Sequence, residues 1–130
     1  MNRCLHQLIE EQARRTPDRV ALRFEQQSLT YGELDRRAEQ LAAHLRSLGI
    51  GPEVRVALLL ERSVEMMVAL FGVLKAGGAY LPLDPEYPAE RIAFMLEDSG
   101  AQLLLTEQRL SKHLPAHSLQ TIYLDRKSVV

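Results

Sequence analysis

Tryptophan is absent, cysteine occurs once, and the longest apolar run, Met66 to Leu74, is broken by Gly72. Each shortage excludes something. A single thiol makes no internal disulfide, so Cys4 gives no sign of an oxidising compartment. The Met66–Leu74 run is far short of the ~20 residues that a bilayer-spanning helix needs. The first residues, Met1 to Gln7, hold no continuous apolar stretch of the secretory kind, because Glu10 and Glu11 follow directly on Leu8-Ile9; a cytoplasmic location is expected. Sixteen basic against seventeen acidic residues give a net charge of -1. That balance supplies no field to gather nucleic acid or an anionic membrane, and neither is expected as a partner.

What is present is the composition of an ordinary globular domain: 130 residues, 46% apolar and 25% charged. A chain of this size buries roughly two thirds of the surface of its unfolded form, enough for one core without disulfides or metal. No fixed-period repeat, low-complexity tract or long linker interrupts it. Leu5, Leu8, Ile9 and Ala13 fall at helical spacing and predict a peripheral amphipathic helix that ends at Thr16-Pro17-Asp18. Val20, Leu22 and Phe24 alternate with polar or small residues, predicting a strand that turns at Gln26-Gln27 into a short partner at Ser28-Leu29. Thr30-Tyr31-Gly32-Glu33 reads as a capping box, with Leu29 and Leu34 placed as a hydrophobic staple. The helix it opens carries Leu34, Ala38, Leu41, Ala42, Leu45 and Leu48 on one face and stops at Gly49.

From there the pattern becomes strand, helix, strand, helix. Val54 to Leu60 holds a single charge and predicts a strand buried on both faces. Ser63 is placed to cap a helix over Val64–Ala76 that is apolar almost all round and stops at Gly77. Ala79 to Leu83 predicts a short strand on which Pro82 demands an edge, a bulge or an early end of pairing. Pro88 suits the first position of a helix with Ile92, Met95 and Leu96 inward and Gly100 as its stop. Leu103 to Leu105 predicts a third buried strand. Thr106 is placed to cap a short helix ending before Pro115, and Thr121 to Leu124 predicts a fourth strand. The fold class is α/β: a parallel sheet with right-handed crossover helices, preceded by a helix and a short hairpin.

Ligands of such sheets bind beyond the carboxyl ends of the strands, which here hold Glu61-Arg62-Ser63, Asp84-Pro85-Glu86-Tyr87, Thr106-Glu107 and Asp125. Asp84 and Glu86 have oxygen donors for a divalent cation, but Asp-Pro is first a turn. Gly77-Gly78 follows a helix rather than preceding one and reads as a C-cap, and no glycine-rich phosphate loop occurs in the chain. His6, His44, His113 and His117 lack zinc-ligand spacing, with Cys4 as their one thiol and Pro115 between the last two. Ser63 lacks the nucleophile-elbow glycines and reads as a helix cap. Cys4, beside Arg3, reads as incidental, and Arg14-Arg15 and Arg36-Arg37 as solvated helix faces. No residue is assigned as catalytic, cofactor-binding or metal-binding.

Two stretches go beyond generic architecture. Leu29-Thr30-Tyr31-Gly32-Glu33-Leu34 resembles the first signature motif of the amino-acid adenylation domains of non-ribosomal peptide synthetases. Leu74-Lys75-Ala76-Gly77-Gly78-Ala79-Tyr80-Leu81-Pro82-Leu83-Asp84 resembles the second, in the same order and at the same separation. The flanks Glu61-Arg62-Ser63, Pro85 to Ile92 and Leu96 to Gly100 continue the likeness, which covers residues 5 to about 125. Acyl-CoA synthetases and luciferases share the wider superfamily, but the Gly-Gly-Ala-Tyr-Leu-Pro-Leu-Asp wording leans toward amino-acid activation.

The resemblance implies a parent domain that uses ATP and magnesium to make an aminoacyl adenylate and passes the acyl group to phosphopantetheine on a carrier domain. It also implies that residues 1–130 are an incomplete N-terminal fragment of the AMP-binding domain. The phosphate loop, adenine and ribose contacts, amino-acid pocket and C-terminal lysine belong to segments beyond it. Three expectations follow: a fragment inactive alone; a complementation or self-associating module docking through uncovered apolar surface; or a small independent nucleotide-binding protein.

Overall fold

The computed structural model describes residues 5–115, 117 and 119–125. The elements run α1 (Leu5–Arg15), β1 (Val20–Phe24), β2 (Gln27–Thr30), α2 (Tyr31–Ser47), β3 (Arg55–Leu59), α3 (Val64–Lys75), β4 (Ala79–Leu83), α4 (Ala89–Ser99), β5 (Leu103–Thr106), a short 3₁₀ helix (Gln108–His113) and β6 (Gln120–Tyr123). β1 and β2 form an antiparallel hairpin; β3 to β6 form one sheet in the order β4-β3-β5-β6, and every neighbouring pair in it is parallel. This is the expected α/β architecture with its leading helix and hairpin.

Side-chain alternation along β3 divides the core. Val56, Leu58 and Leu60 face Leu41, Leu45, Ala69 and Val73 of α2 and α3, whereas Ala57 and Leu59 face Ile92 and Leu96 of α4. A third apolar group joins the hairpin to the outer side of the two helices through Leu29, Leu34, Ala38, Val68 and Phe71. The sheet is thus covered on both faces, as a parallel sheet requires.

The helix start read at Thr30 and the stop read at Gly77 are present. Thr30 Oγ1 accepts from the Glu33 amide at 3.1 Å, and Glu33 Oε1 accepts from the Thr30 amide at 2.9 Å. That second bond, made to the charged form, is the main reason the Glu33 carboxyl titrates below its ordinary range. Gly32 is not a helix former, yet it occupies the first turn of α2. An added Cβ there would lie 3.1 Å from the Pro17 carbonyl oxygen, which accepts from the Gly32 amide at 2.9 Å. At the end of α3, Gly77 takes φ 91°, its amide donates to Leu74 and the Gly78 amide to Val73. This double closure satisfies two carbonyls that the helix leaves open.

Some boundaries differ from expectation. The hairpin turns at Glu25-Gln26, one residue early, because Glu25 itself takes the left-handed conformation at φ 57°; Gln27 then begins β2. Pro88 is the N-cap rather than the first helical residue. Thr106 does not cap the 3₁₀ helix: it is the last residue of β5, fully buried, and its hydroxyl donates to the Leu59 carbonyl at 2.7 Å. Glu107 stands at the cap position. β4 is an outer strand, the first of the three alternatives that Pro82 leaves open. Cys4 lies outside the described residues, as does the segment after Asp125.

α2 and α3 meet at a site only glycine fits. A Cβ added to Gly72 would stand 2.8 Å from Leu41 Cδ2 and 3.1 Å from Leu41 Cβ. Glycine to alanine inside a helix ordinarily gains about 1 kcal/mol, but overpacking a closed contact costs about 1–3 kcal/mol. Gly72→Ala is therefore expected to lower the urea midpoint; an unchanged or higher midpoint would contradict this helix contact.

Candidate functional site

Connections leave the sheet in opposite directions from its two inner strands. From β3 the chain passes through α3 to β4 on one side, whereas β5 leads through the 3₁₀ helix to β6 on the other. The crevice between the carboxyl ends of β3 and β5 is a topological switch point, the usual ligand position in an open α/β sheet. A cleft of about 690 Å³ opens beside it, over the carboxyl ends of β3 and β4, lined by Leu60, Leu83 and Met66, by Phe24 of the hairpin and by Tyr87.

Its polar side chains are largely committed to the protein's own structure. Arg109 forms an ion pair with Glu61 across the crevice and a second with Glu107 at 3.2 Å. The Glu61 hydrogen bond is the main cause holding Arg109 still more firmly charged than usual. Ser63 Oγ accepts from the Met66 amide at 3.1 Å and donates to the Glu61 carbonyl at 3.0 Å, so it caps α3. Asp84 Oδ1 accepts from the Glu86 amide at 2.9 Å, which makes Asp84-Pro85-Glu86 a turn. Asp125 accepts from the Gln108 amide, and Arg91 stacks over the Tyr87 ring at 4.2 Å.

The remaining charge has the wrong sign for a triphosphate. Glu25, Glu61, Asp84 and Glu86 line the cleft against Arg62 and Arg109. The loop from Leu60 to Ser63 has no glycine to bare its amides, and Arg109 is already paired with Glu61. ATP does not fit these residues. Among the described residues no group of three or more His, Cys, Asp or Glu is arranged to hold a metal ion. His6 lies on α1, His44 on α2, and the exposed His117 accepts from the Leu119 amide.

Sequence reasoning misses one feature, at the other end of α3. The Lys75 side chain is 3% exposed, with its ammonium 2.5 Å from Glu10, 2.7 Å from Asp35 and 3.5 Å from Glu39. Three N–H bonds thus face three carboxylates, from α1 and twice from α2. Asp35 Oδ1 is buried and meets the ammonium at 2.7 Å. Glu39 also pairs with Arg46 at 2.9 Å, and Arg46 donates to the Lys75 carbonyl. The sequence does hold a clue: Lys75 is the lone charge in the otherwise apolar second half of α3.

The parallel sheet covered on both faces and the α3 helix that links β3 to β4 define the class: a doubly wound α/β core. The chain belongs to the AMP-binding enzyme family, which it matches over residues 9–130. It is 54% identical over 125 residues to a polypeptide of the linear gramicidin synthase of Brevibacillus parabrevis, covering 96% of this chain and 2% of that protein. Among solved structures, the nonribosomal peptide synthetase FmoA3 in its AMPPNP-bound form superposes with a TM-score of 0.87 at 38% identity, over 93% of this chain and 13% of FmoA3. The N-terminal subdomain of Klebsiella oxytoca NpsA, in complex with 3-hydroxyanthranilyl-AMSN, gives 0.86 at 28% identity, over 95% of this chain and 31% of that one. The chain thus spans a small part of the proteins it resembles, and its fold is the one found in the N-terminal subdomain of adenylation enzymes.

Burial lowers the Lys75 pKa and is the largest single influence, but the hydrogen bonds and charges of Asp35 and Glu10 together outweigh it and leave the value raised above the ordinary 10.5. A raised folded value means that Lys75 stabilises the fold fully below about pH 10 and that this contribution is lost as pH climbs through the folded pKa. Glu39 is shifted the other way, first by its bond to Arg46. Its contribution is present above pH 4.5 and lost on acidification. Lys75→Met is expected to cost about 1–3 kcal/mol at neutral pH, by leaving charged groups without their partner, and to flatten the alkaline limb of a stability–pH curve measured by denaturation. An unaltered alkaline limb would contradict this role.

Proposed function

We propose that this chain is the incomplete N-terminal part of an amino-acid adenylation domain of non-ribosomal peptide synthesis, supplying scaffold and inactive alone. The observation that carries the reading is the combination of 54% identity to a linear gramicidin synthase with a strand-end cleft whose Arg109 is already paired with Glu61. In the parent reaction an amino-acid carboxylate oxygen attacks the α-phosphorus of magnesium-bound ATP. The P–O bond to pyrophosphate breaks, and the acyl group later moves from AMP to a phosphopantetheine thiol on a carrier domain. Catalysis of such a step consists of positioning and of offsetting phosphate charge. No catalytic, nucleotide-binding or metal-binding role is assigned within these 130 residues; those groups belong to the remainder of the domain. The synthetase relatives favour amino-acid activation over acyl-CoA formation. A cytoplasmic location is part of the same proposal, because the parent reaction consumes ATP; among the described residues no helix is long and apolar enough to cross a membrane.

A complementation role is the second reading. Phe94 on α4 is 65% exposed and Tyr80 on the outer strand β4 is 39% exposed, apolar surface of the kind that a docking partner covers. The remainder of the adenylation domain is the partner this reading names; self-association is its other form, and light scattering separates an assembling chain from a monomer.

Amino-acid-dependent exchange of labelled pyrophosphate into ATP tests the main reading. The isolated chain is expected to give no exchange above a blank without enzyme, with any of the proteinogenic amino acids. Exchange that depends on amino acid and on this chain would overturn it.

A further inference from the structure

We propose that α1 is a charge-latched strap, held to α2 and α3 by Lys75 and able to open as a unit while the sheet stays folded. Four observations lead to this. α1 contains no buried residue, and Leu5 and Leu8 on its apolar stripe are 51% and 47% exposed. Its link to the rest is polar: Glu10 pairs at 2.5 Å with a lysine that is almost wholly buried, although Ile9 also packs against the hairpin–helix core. Third, His6 stands one turn before Glu10, and its Nδ1 is buried without a hydrogen bond. Docking therefore leaves a polar atom unpaired that water would satisfy on release. Fourth, the chain just after α1 is independently anchored, by the Gly32 amide on the Pro17 carbonyl and the Tyr31 amide on the Arg19 carbonyl. Thr16 is tied to Gln12 of α1, so the joint falls between Thr16 and Pro17 and is crossed by the Arg19 amide on the Thr16 carbonyl.

Release has a defined result. Lys75 keeps Asp35 at 2.7 Å and Glu39 at 3.5 Å, both from α2, so the ammonium is never stranded without an opposite charge. It loses its shortest partner and its cover. Opening therefore presents a cation at the C-terminal end of α3, where the helix dipole already favours positive charge, next to the apolar surface that Ile9 leaves. The charged groups facing Lys75 are Glu10 from α1 and Asp35 and Glu39 from α2. Of these only Glu10 moves with the strap.

Native-state hydrogen exchange on the 130-residue chain tests this, comparing wild type with Glu10→Gln and with Arg15→Gln. Glu10 is about one third exposed, so its replacement by an isosteric amide leaves the core intact. Arg15 pairs with Glu11 at 3.9 Å on the solvent side of the same helix and controls for general fraying. Glu10→Gln is expected to speed exchange of the Ile9–Arg15 amides by about tenfold or more, with β3 and β5 amides at wild-type rates and Arg15→Gln without effect. Three outcomes overturn the proposal: unchanged α1 rates in Glu10→Gln, α1 and sheet amides accelerating together, or an equal acceleration in Arg15→Gln.

Discussion

A helix whose apolar residues run round most of its circumference leaves little of itself to water, and α3 is such a helix. Val64, Val68, Ala69, Phe71, Gly72 and Val73 are all buried, so the chain must supply cover on several sides. The sheet covers one side through Val56 and Leu58, α2 packs along another through Leu41 and Leu45, and the hairpin closes a third through Leu29. The parallel connection itself requires this helix, because β3 and β4 run the same way and only a crossover joins them. The order of elements, the closeness of α2 at Gly72 and the placing of the hairpin all follow from covering α3.

Features set by neighbours in sequence are legible from the sequence. The capping box at Thr30 and Glu33 and the stops at Gly49, Gly77 and Gly100 are each decided within a few residues by backbone geometry, and the edge place of β4 is one of the three outcomes that Pro82 allows. The hairpin turn departs from its expected place by one residue because Glu25 adopts a conformation that glutamate rarely takes, and side-chain pattern carries no warning of that. Thr106 reads as a cap because its hydroxyl has a local use; in the fold its bond goes to Leu59, 47 residues away. The same reason hides the site's chemistry. Glu61 meets Arg109 across 48 residues and Lys75 meets Glu10 across 65, and periodicity says nothing of pairs brought together only by the sheet order and helix packing.

The crevice illustrates why fold and function are separate arguments. Its position is the one where sheets of this kind bind ligands, yet four carboxylates face two guanidiniums there, and one of those guanidiniums already has two acidic partners. Position alone would suggest a nucleotide site; charge argues against it. Family membership and local electrostatics are compatible under the proposed reading, in which phosphate handling is the work of other segments.

The two signature motifs can then be understood by what they touch. The first contributes Thr30 and Glu33, which start α2, and Gly32, whose missing side chain admits the Pro17 carbonyl. The second contributes Gly77 and Gly78, which end α3, and Lys75, whose ammonium gathers Glu10, Asp35 and Glu39. Asp35 follows the first motif by one residue, so the Lys75–Asp35 pair at 2.7 Å ties the start of α2 to the end of α3. α1 is then fixed at two points, by Glu10 to the second motif and by the segment behind it, through Pro17, to the first. None of these contacts reaches the crevice. Lys75 closes the opposite end of α3 from Ser63, which caps it at the cleft. Both motifs fasten helices to one another, the second also lending Pro82, Leu83 and Asp84 to the cleft wall, and a charge that sequence context would send to solvent is buried because it is the counter-ion of three carboxylates at once.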